Sequence, residues 1–147
     1  MSHSYSTIWI HAVWATKERQ PLIKSSWEND LYSFLKNQLF ELSCPVQIIN
    51  GMPDHIHCLF QLNPQKSISE VIKQLKGSSS HWINLSDLIN EKFAWQTGFA
   101  AYSVSDSIRG KVFDYIQNQK AHHRKVTFQE EYEALIRKIQ TQEIKNG

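Results

Sequence analysis

The stretch that most constrains this chain is His55-Ile56-His57-Cys58-Leu59-Phe60, set behind the turn residues Gly51-Met52-Pro53-Asp54. In a strand, successive side chains point to opposite faces, so His55, His57 and Leu59 share one face and Ile56, Cys58 and Phe60 the other. The second face is wholly apolar, as a face buried under helices must be. The first carries two imidazoles side by side on a rigid element. That is half of a metal site, with positions left for a third ligand and a substrate atom. Two half-buried histidines hydrogen-bonded to backbone fit the same pattern.

The remaining periodicities place elements around this strand. Ile8, Ile10, Ala12 and Trp14 alternate with Thr7, Trp9, His11 and Val13, which predicts a first strand over residues 4–15 with one apolar and one mixed face. Ser25-x-x-Glu28 has the form of a capping box and opens an amphipathic pattern at Trp27, Leu31, Leu35 and Leu39. Val46 to Asn50 reads as a second strand, forming a hairpin with the His55-to-Leu62 strand through the Gly-Pro turn. Ser67-x-x-Glu70 opens a second helix, which Gly77-Ser78-Ser79-Ser80 either breaks or thins. Phe99 to Val104 is a fourth strand, followed by a helix from Ser105 to about Lys120. Thr127-x-x-Glu130 opens a last helix over about 128–141, with a frayed polar tail. The order predicts one α+β domain over residues 1–147, a ferredoxin-like split βαβ antiparallel sheet with helices on one face plus C-terminal helices.

A chain of 147 residues can bury one real core. The net charge of +2 leaves a nucleic-acid role to a local patch. Cys44 and Cys58 form no CxxC, and no apolar run approaches membrane length. These features predict a reduced, cytoplasmic protein with no membrane partner.

The helix from Ser105 carries an apolar ridge at Ile108, Val112 and Ile116. Lys111, Tyr115 and Gln119 lie four apart on a flanking ridge. Taken without the histidines, Tyr115 reads better as a core-edge aromatic with a wet hydroxyl and Gln119 as a solvated helix residue.

A His-hydrophobic-His strand followed by a helix with one tyrosine, and a glutamine one turn later, resembles the HUH single-tyrosine transposases of bacterial insertion sequences. Their relatives associated with repetitive extragenic palindromes share the pattern. The motifs are Met52-Pro53-Asp54-His55-Ile56-His57, Trp95-Gln96-Thr97-Gly98-Phe99, Tyr102-Ser103-Val104-Ser105 and Tyr115-Ile116-x-Asn118-Gln119 followed by His122-His123. The resemblance covers most of the chain. It implies that Tyr115 is the nucleophile that cleaves single-stranded DNA, leaving a 5′-phosphotyrosine and a free 3′-hydroxyl. It implies that His55, His57 and Gln119 hold one divalent metal, Mg²⁺ or Mn²⁺, and that a homodimer acts on DNA hairpins at element ends. Such a protein would be cytoplasmic in a bacterium and nucleoid-associated when DNA-bound.

The chemistry is coherent. A metal with open positions neutralises charge on the phosphate oxygens, and a tyrosyl intermediate keeps the phosphodiester's energy for rejoining. Imidazole-rich sites otherwise favour Zn, Ni or Cu. An unperturbed tyrosine ionises near pH ~10, and the metal and Lys111 are the candidates to help it. Lys17, Arg19, Lys73, Lys76, Arg109 and Lys111 are candidate DNA contacts. His122, His123, Arg124 and Lys125 read as a phosphate-contacting cluster; His3, His11 and His81 have no assigned part. Two other classes compete: a domesticated or non-catalytic hairpin-DNA/RNA-binding module on the same fold, and a small metal-dependent hydrolase, for which Asp54 is the only adjacent carboxylate.

Overall fold

The computed structural model describes residues 4–146, with side chains through residue 141; His3 lies outside the described residues. Strands β1 (Trp9–Ala15), β2 (Val46–Met52), β3 (His55–Gln61) and β4 (Ala100–Val104) pair antiparallel in the order β2-β3-β1-β4. Helices α1 (Glu28–Glu41) and α2 (Ile68–Leu85) make the two crossovers. This is the expected ferredoxin-like α+β arrangement. Three further helices follow: α3 (Arg109–Gln117), α4 (Gln119–His122) and α5 (Phe128–Asn146).

The alternation in β3 divides the molecule. Ile56, Cys58 and Phe60 join Ile10, Ala12 and Trp14 in the larger core, under Leu31, Leu35 and Leu39 of α1 and Val71, Ile72 and Leu75 of α2. Each fully buried aliphatic side chain there contributes about 1.5–3 kcal/mol. On the opposite face, Leu59 and Trp9 meet Val104, Val112 and Ile116 in a smaller cluster under α3. His55 and His57 lie on that second face, which the C-terminal helices cover.

The helix starts follow the capping chemistry in two cases of three. The Ser67 hydroxyl accepts the Glu70 amide at 3.1 Å while the Glu70 carboxylate accepts the Ser67 N–H at 3.3 Å. The Thr127 hydroxyl accepts the Glu130 amide at 3.2 Å. Ser25 caps nothing. The Lys24 carbonyl takes the Trp27 and Glu28 amides at 3.1 and 2.9 Å, so α1 begins behind Trp27, whose ring enters the core.

The glycine–serine run neither breaks nor thins α2. Ser78 Oγ turns back on the Gln74 carbonyl at 2.7 Å, and Ser79 Oγ receives Trp95 Nε1–H at 2.9 Å. Residues 105–120, expected as one helix, are three pieces: a 3₁₀ turn (Asp106–Ile108), α3, and α4 beyond a bend at Asn118 (φ −93°, ψ 18°). The bend is sustained from β2. Asn50 Nδ2 donates to the carbonyls of Ile116 (2.9 Å) and Gln117 (3.2 Å), and Lys120 Nζ donates to the Gly51 carbonyl at 2.5 Å. Helix α5 continues to Asn146, past the expected end near residue 141.

Gly51 pairs opposite Ile56, and a Cβ placed on it would lie 2.1 Å from the His55 carbonyl oxygen. The hairpin that presents the two histidines therefore needs glycine at this position. Cys44 and Cys58 are buried and free. Among the described residues, no helix is long and apolar enough to cross a membrane.

Candidate functional site

The site is built on the second face of β3 and closed by α3, α4 and α5. His55 and His57 are both buried, with ring centroids 5.1 Å apart. Their outer nitrogens are engaged: His55 Nδ1 lies 2.8 Å from Asp54 Oδ1, and His57 Nδ1 lies 2.8 Å from His11 Nε2. Both Nε2 atoms thus face the interior of the site, the orientation that such supporting hydrogen bonds impose on ligating histidines. His11 passes the contact on, with Nδ1 2.9 Å from the Tyr102 hydroxyl. A neutral imidazole donates from one nitrogen only, so the tautomer of His57 sets that of His11.

The bend at Asn118 lets both α3 and α4 contribute. Gln119 is fully buried, its Oε1 3.1 Å from His55 Nε2. The Tyr115 ring stands edge-on to His57 with centroids 5.8 Å apart, and its hydroxyl donates to Glu131 Oε2. Tyr115, Gln119 and the histidine pair are brought together within a single chain. The four residues expected from the sequence thus converge on one point.

Glu131 of α5 is the residue that sequence reasoning missed. Its two oxygens divide the site. Oε1 lies 3.2 Å from His55 Nε2, 3.1 Å from His57 Nε2 and 3.0 Å from His123 Nε2. Oε2 accepts from Tyr115 and from Gln119 Nε2 (2.8 Å), and lies 3.4 Å from His122 Nε2. His122 and His123, expected as phosphate contacts beside Arg124, are turned inward by this carboxylate. Phe128 stacks on His55, with centroids 3.9 Å apart.

The electrostatics follow from this packing. Burial alone would raise Glu131, but hydrogen bonds from His55 and His57 hold it well below the usual carboxylate range. Burial alone would lower His55, but Asp54 and Glu131 push it above the ordinary imidazole value. His57 is pushed down to about 4, chiefly by burial, against the pull of Glu131. Burial and the neighbouring His57 lower His11. Tyr115 is raised, first by burial and then by Glu131, so its hydroxyl is neutral in the metal-free protein.

Lys111 is the residue expected from the sequence to assist Tyr115. It lines the cavity beside Tyr115, while the group bonded to the tyrosine hydroxyl is an anion. Other expected DNA contacts are tied down. Lys76 Nζ donates to the carbonyls of Gln96 (2.6 Å) and Gly98 (2.9 Å). Arg109 pairs with Asp106 at 3.0 Å and covers the Trp9 ring at 4.5 Å. Arg19 donates to Gln129 at 3.2 Å. Lys73 lies on α2, across the sheet from the histidines. Lys17, Lys73, Lys111 and Arg124 are solvent-exposed.

The ligating atoms of His55, His57 and Glu131 lie within 4.8 Å of one another, as do those of His122, His123 and Glu131. Two imidazole nitrogens with fixed outer partners, a carboxylate and an amide oxygen suit a divalent cation. Glu131 places a charged group beside the three neutral ligands expected from the sequence.

Residues 4–119 match the protein family described as "Transposase IS200 like". The chain belongs to this IS200-like transposase family. The match ends at Gln119, so Glu131 and α5 lie beyond it. Among relatives, the chain is similar to the ISDra2 transposase TnpA of Deinococcus radiodurans, 26% identical over 114 residues, 74% of this chain and 81% of that protein. A solved structure described as a candidate transposase from D. radiodurans R1 shares the fold, with a TM-score of 0.64 at 24% identity over 81% of this chain and 96% of that one. So does the REP-associated tyrosine transposase solved bound to a REP hairpin, with a TM-score of 0.60 at 18% identity over 86% of this chain and 76% of that one.

Proposed function

We propose that this IS200-like transposase cleaves and rejoins single-stranded DNA through a tyrosyl intermediate, at hairpins marking the ends of its element. The observation that carries the reading is the convergence, in one chain, of the Tyr115 hydroxyl with His55, His57 and Gln119. In the reaction, the Tyr115 oxygen forms a bond to phosphorus and the P–O3′ bond breaks. The products are a 5′-phosphotyrosine and a 3′-hydroxyl. Glu131 Oε2, already hydrogen-bonded to the phenol, is the nearest acceptor for its proton. His122, 3.4 Å from the same hydroxyl, is a second acceptor on the nucleophile's side, and the 3′-oxygen, which departs on the opposite side of phosphorus, takes its proton from solvent. Reversal by a second 3′-hydroxyl rejoins the strand without an external energy source.

His55, His57, Gln119 and Glu131 are the residues that would hold one divalent cation. When bound, it would supply Lewis-acid neutralisation of the phosphate oxygens. The two oxygen donors suit Mg²⁺ or Mn²⁺ better than imidazole alone does. The whole chain acts as one domain in this reading, the protein pairing as a homodimer on its hairpins and associating with the nucleoid of a bacterial cytoplasm. Hairpin DNA as the partner is supported by the likeness of fold to the REP-associated tyrosine transposase, which was solved bound to a REP hairpin.

The test is incubation of labelled single-stranded DNA carrying the element's end hairpins with wild type and Tyr115→Phe, in Mg²⁺ or Mn²⁺. A protein–DNA adduct that survives denaturation, requires metal and vanishes in the variant is expected. Hairpin binding without any adduct would sink the catalytic reading and leave a binding role. Metal-dependent cleavage that survives Tyr115→Phe would point to hydrolysis at the His55–His57–Glu131 cluster.

A further inference from the structure

The Tyr115 hydroxyl has two neighbourhoods. One is the polar cluster around Glu131. The other is the adjoining cavity of about 540 Å³ between α3, α5 and β4, which shares His57, His122 and Glu131 with that cluster but extends beyond it. Its volume lies in the range of pockets that hold small ligands. Its apolar walls come from Ile108 of the 3₁₀ turn and Val112 of α3 on one side and Leu135 of α5 on the other. Its inner end is formed by the rings of His11, His57 and Tyr102, and Tyr115 belongs to the same lining. Two ammonium groups border it, Lys111 from α3 and Lys138 from α5, both on exposed side chains. Lys138 Nζ lies over the Tyr102 ring, 4.7 Å from its centroid.

This combination selects its occupant. Opposed aliphatic walls and an aromatic inner surface accept a flat ring. The two ammonium groups accept the phosphates to which that ring is attached. Two carboxylates also belong to the lining, Glu131 beside the histidines and Glu130, which accepts the Thr127 hydroxyl at 3.0 Å, so the phosphates must lie on the lysine side of the cavity. A lipid tail would have no use for the cations, and an acidic peptide none for the narrow apolar walls.

We propose that this cavity holds the base of the nucleotide adjoining the scissile phosphate. The inference rests on the reading of Tyr115 as the nucleophile and extends it. Seating that base between α3 and α5 fixes the adjacent phosphate against the tyrosine hydroxyl. The protein thus supplies its own grip on the DNA at the point of cleavage, separate from any grip on the hairpin. Base-on-aromatic contact tolerates any sequence, because every base has a π-face.

The experiment uses the full chain and a fluorescein-labelled oligothymidine of about a dozen nucleotides, in Mn²⁺. A second oligothymidine carries one 4-thiothymidine for photocrosslinking, with the crosslinked peptide identified by mass spectrometry. Ala134 borders the cavity from an exposed position on α5, so Ala134→Trp fills it without disturbing either core. The expected result is a crosslink to the Tyr102 or Leu135 peptide in wild type. Ala134→Trp is expected to raise the Kd about tenfold, the scale of one lost stacking contact, with melting unchanged. Wild-type crosslinks that fall only outside the cavity would overturn the proposal. So would a folded Ala134→Trp protein with wild-type affinity. Either of those results leaves the tyrosine reading standing, since adduct formation is scored separately. Failure of wild type to bind this hairpin-free oligonucleotide would also overturn the cavity proposal, while adduct formation on hairpin-bearing DNA decides the tyrosine reading by itself.

Discussion

His11 shows how much of this site depends on a residue outside the proposed metal-binding set. It is buried on β1, 2.8 Å from His57 Nδ1 and 2.9 Å from the Tyr102 hydroxyl. Removing such a supporting partner commonly costs 10–100-fold in metal affinity. His11→Ala is therefore expected to weaken Mn²⁺ binding by roughly that factor in a calorimetric titration without DNA; unchanged affinity would show that His57 needs no such support. The same residues set the pH dependence of the metal-free protein. His55 is raised, so its contribution is present below the unfolded imidazole value of about 6.5 and is lost as pH rises through its folded value. His11 and His57 are lowered, so theirs is present above about 6.5 and is lost as pH falls. Glu131 is lowered too, and adds a loss below the carboxylate range. The protein in chelator should melt highest near pH ~6.5 and lose stability on both sides. His55→Gln should flatten the alkaline limb, which melting curves across pH would show.

At the scale of the element, the β2–β3 hairpin is the most exacting piece. Gly51→Ala would drive a methyl into the His55 carbonyl, a backbone atom that cannot move aside. The expected cost is about 1–3 kcal/mol, read as a lower denaturant midpoint, with weakened metal binding because the displaced residue is itself part of the cluster. Elements of this kind were legible in the sequence. Strict alternation gave β1 and β3 with the correct faces, and the Ser67 capping box gave the start of α2. His55, His57, Tyr115 and Gln119 were legible because each pair lies within one turn or one strand. The bend at Asn118 was not, since it is sustained by Asn50, 68 positions away in the chain by the numbering of the two residues. Glu131 was hidden among Glu130, Glu131 and Glu133, where nothing local distinguishes one carboxylate. The signal that could have found it was its place on the buried ridge of α5, three residues after Phe128 and four before Leu135. Ser25 misled because a capping pattern needs the chain to enter the helix at that residue, whereas here the Lys24 carbonyl closes a turn first and the helix starts beyond Trp27.

Among the described residues, the whole molecule has two apolar cores with no buried member beyond Ile116, and the last helix is held mainly through Phe128 and the contacts of Glu131. A chain ending at residue 125 should therefore keep a cooperative melt while losing at least about tenfold in Mn²⁺ affinity, checked by circular dichroism and titration. Collapse of the melt would mean that α5 supports the fold itself. The sheet has one more consequence. His11 pairs opposite Tyr102 across β1 and β4, while His57 belongs to the strand on the other side of β1. A slip of one residue in any strand would send its ring to the face under α1 and α2. The centre can close only on a sheet whose three strands are all in register. In the proposed reaction, metal capture would thus act as proofreading: a misthreaded chain would be unable to arm itself against DNA.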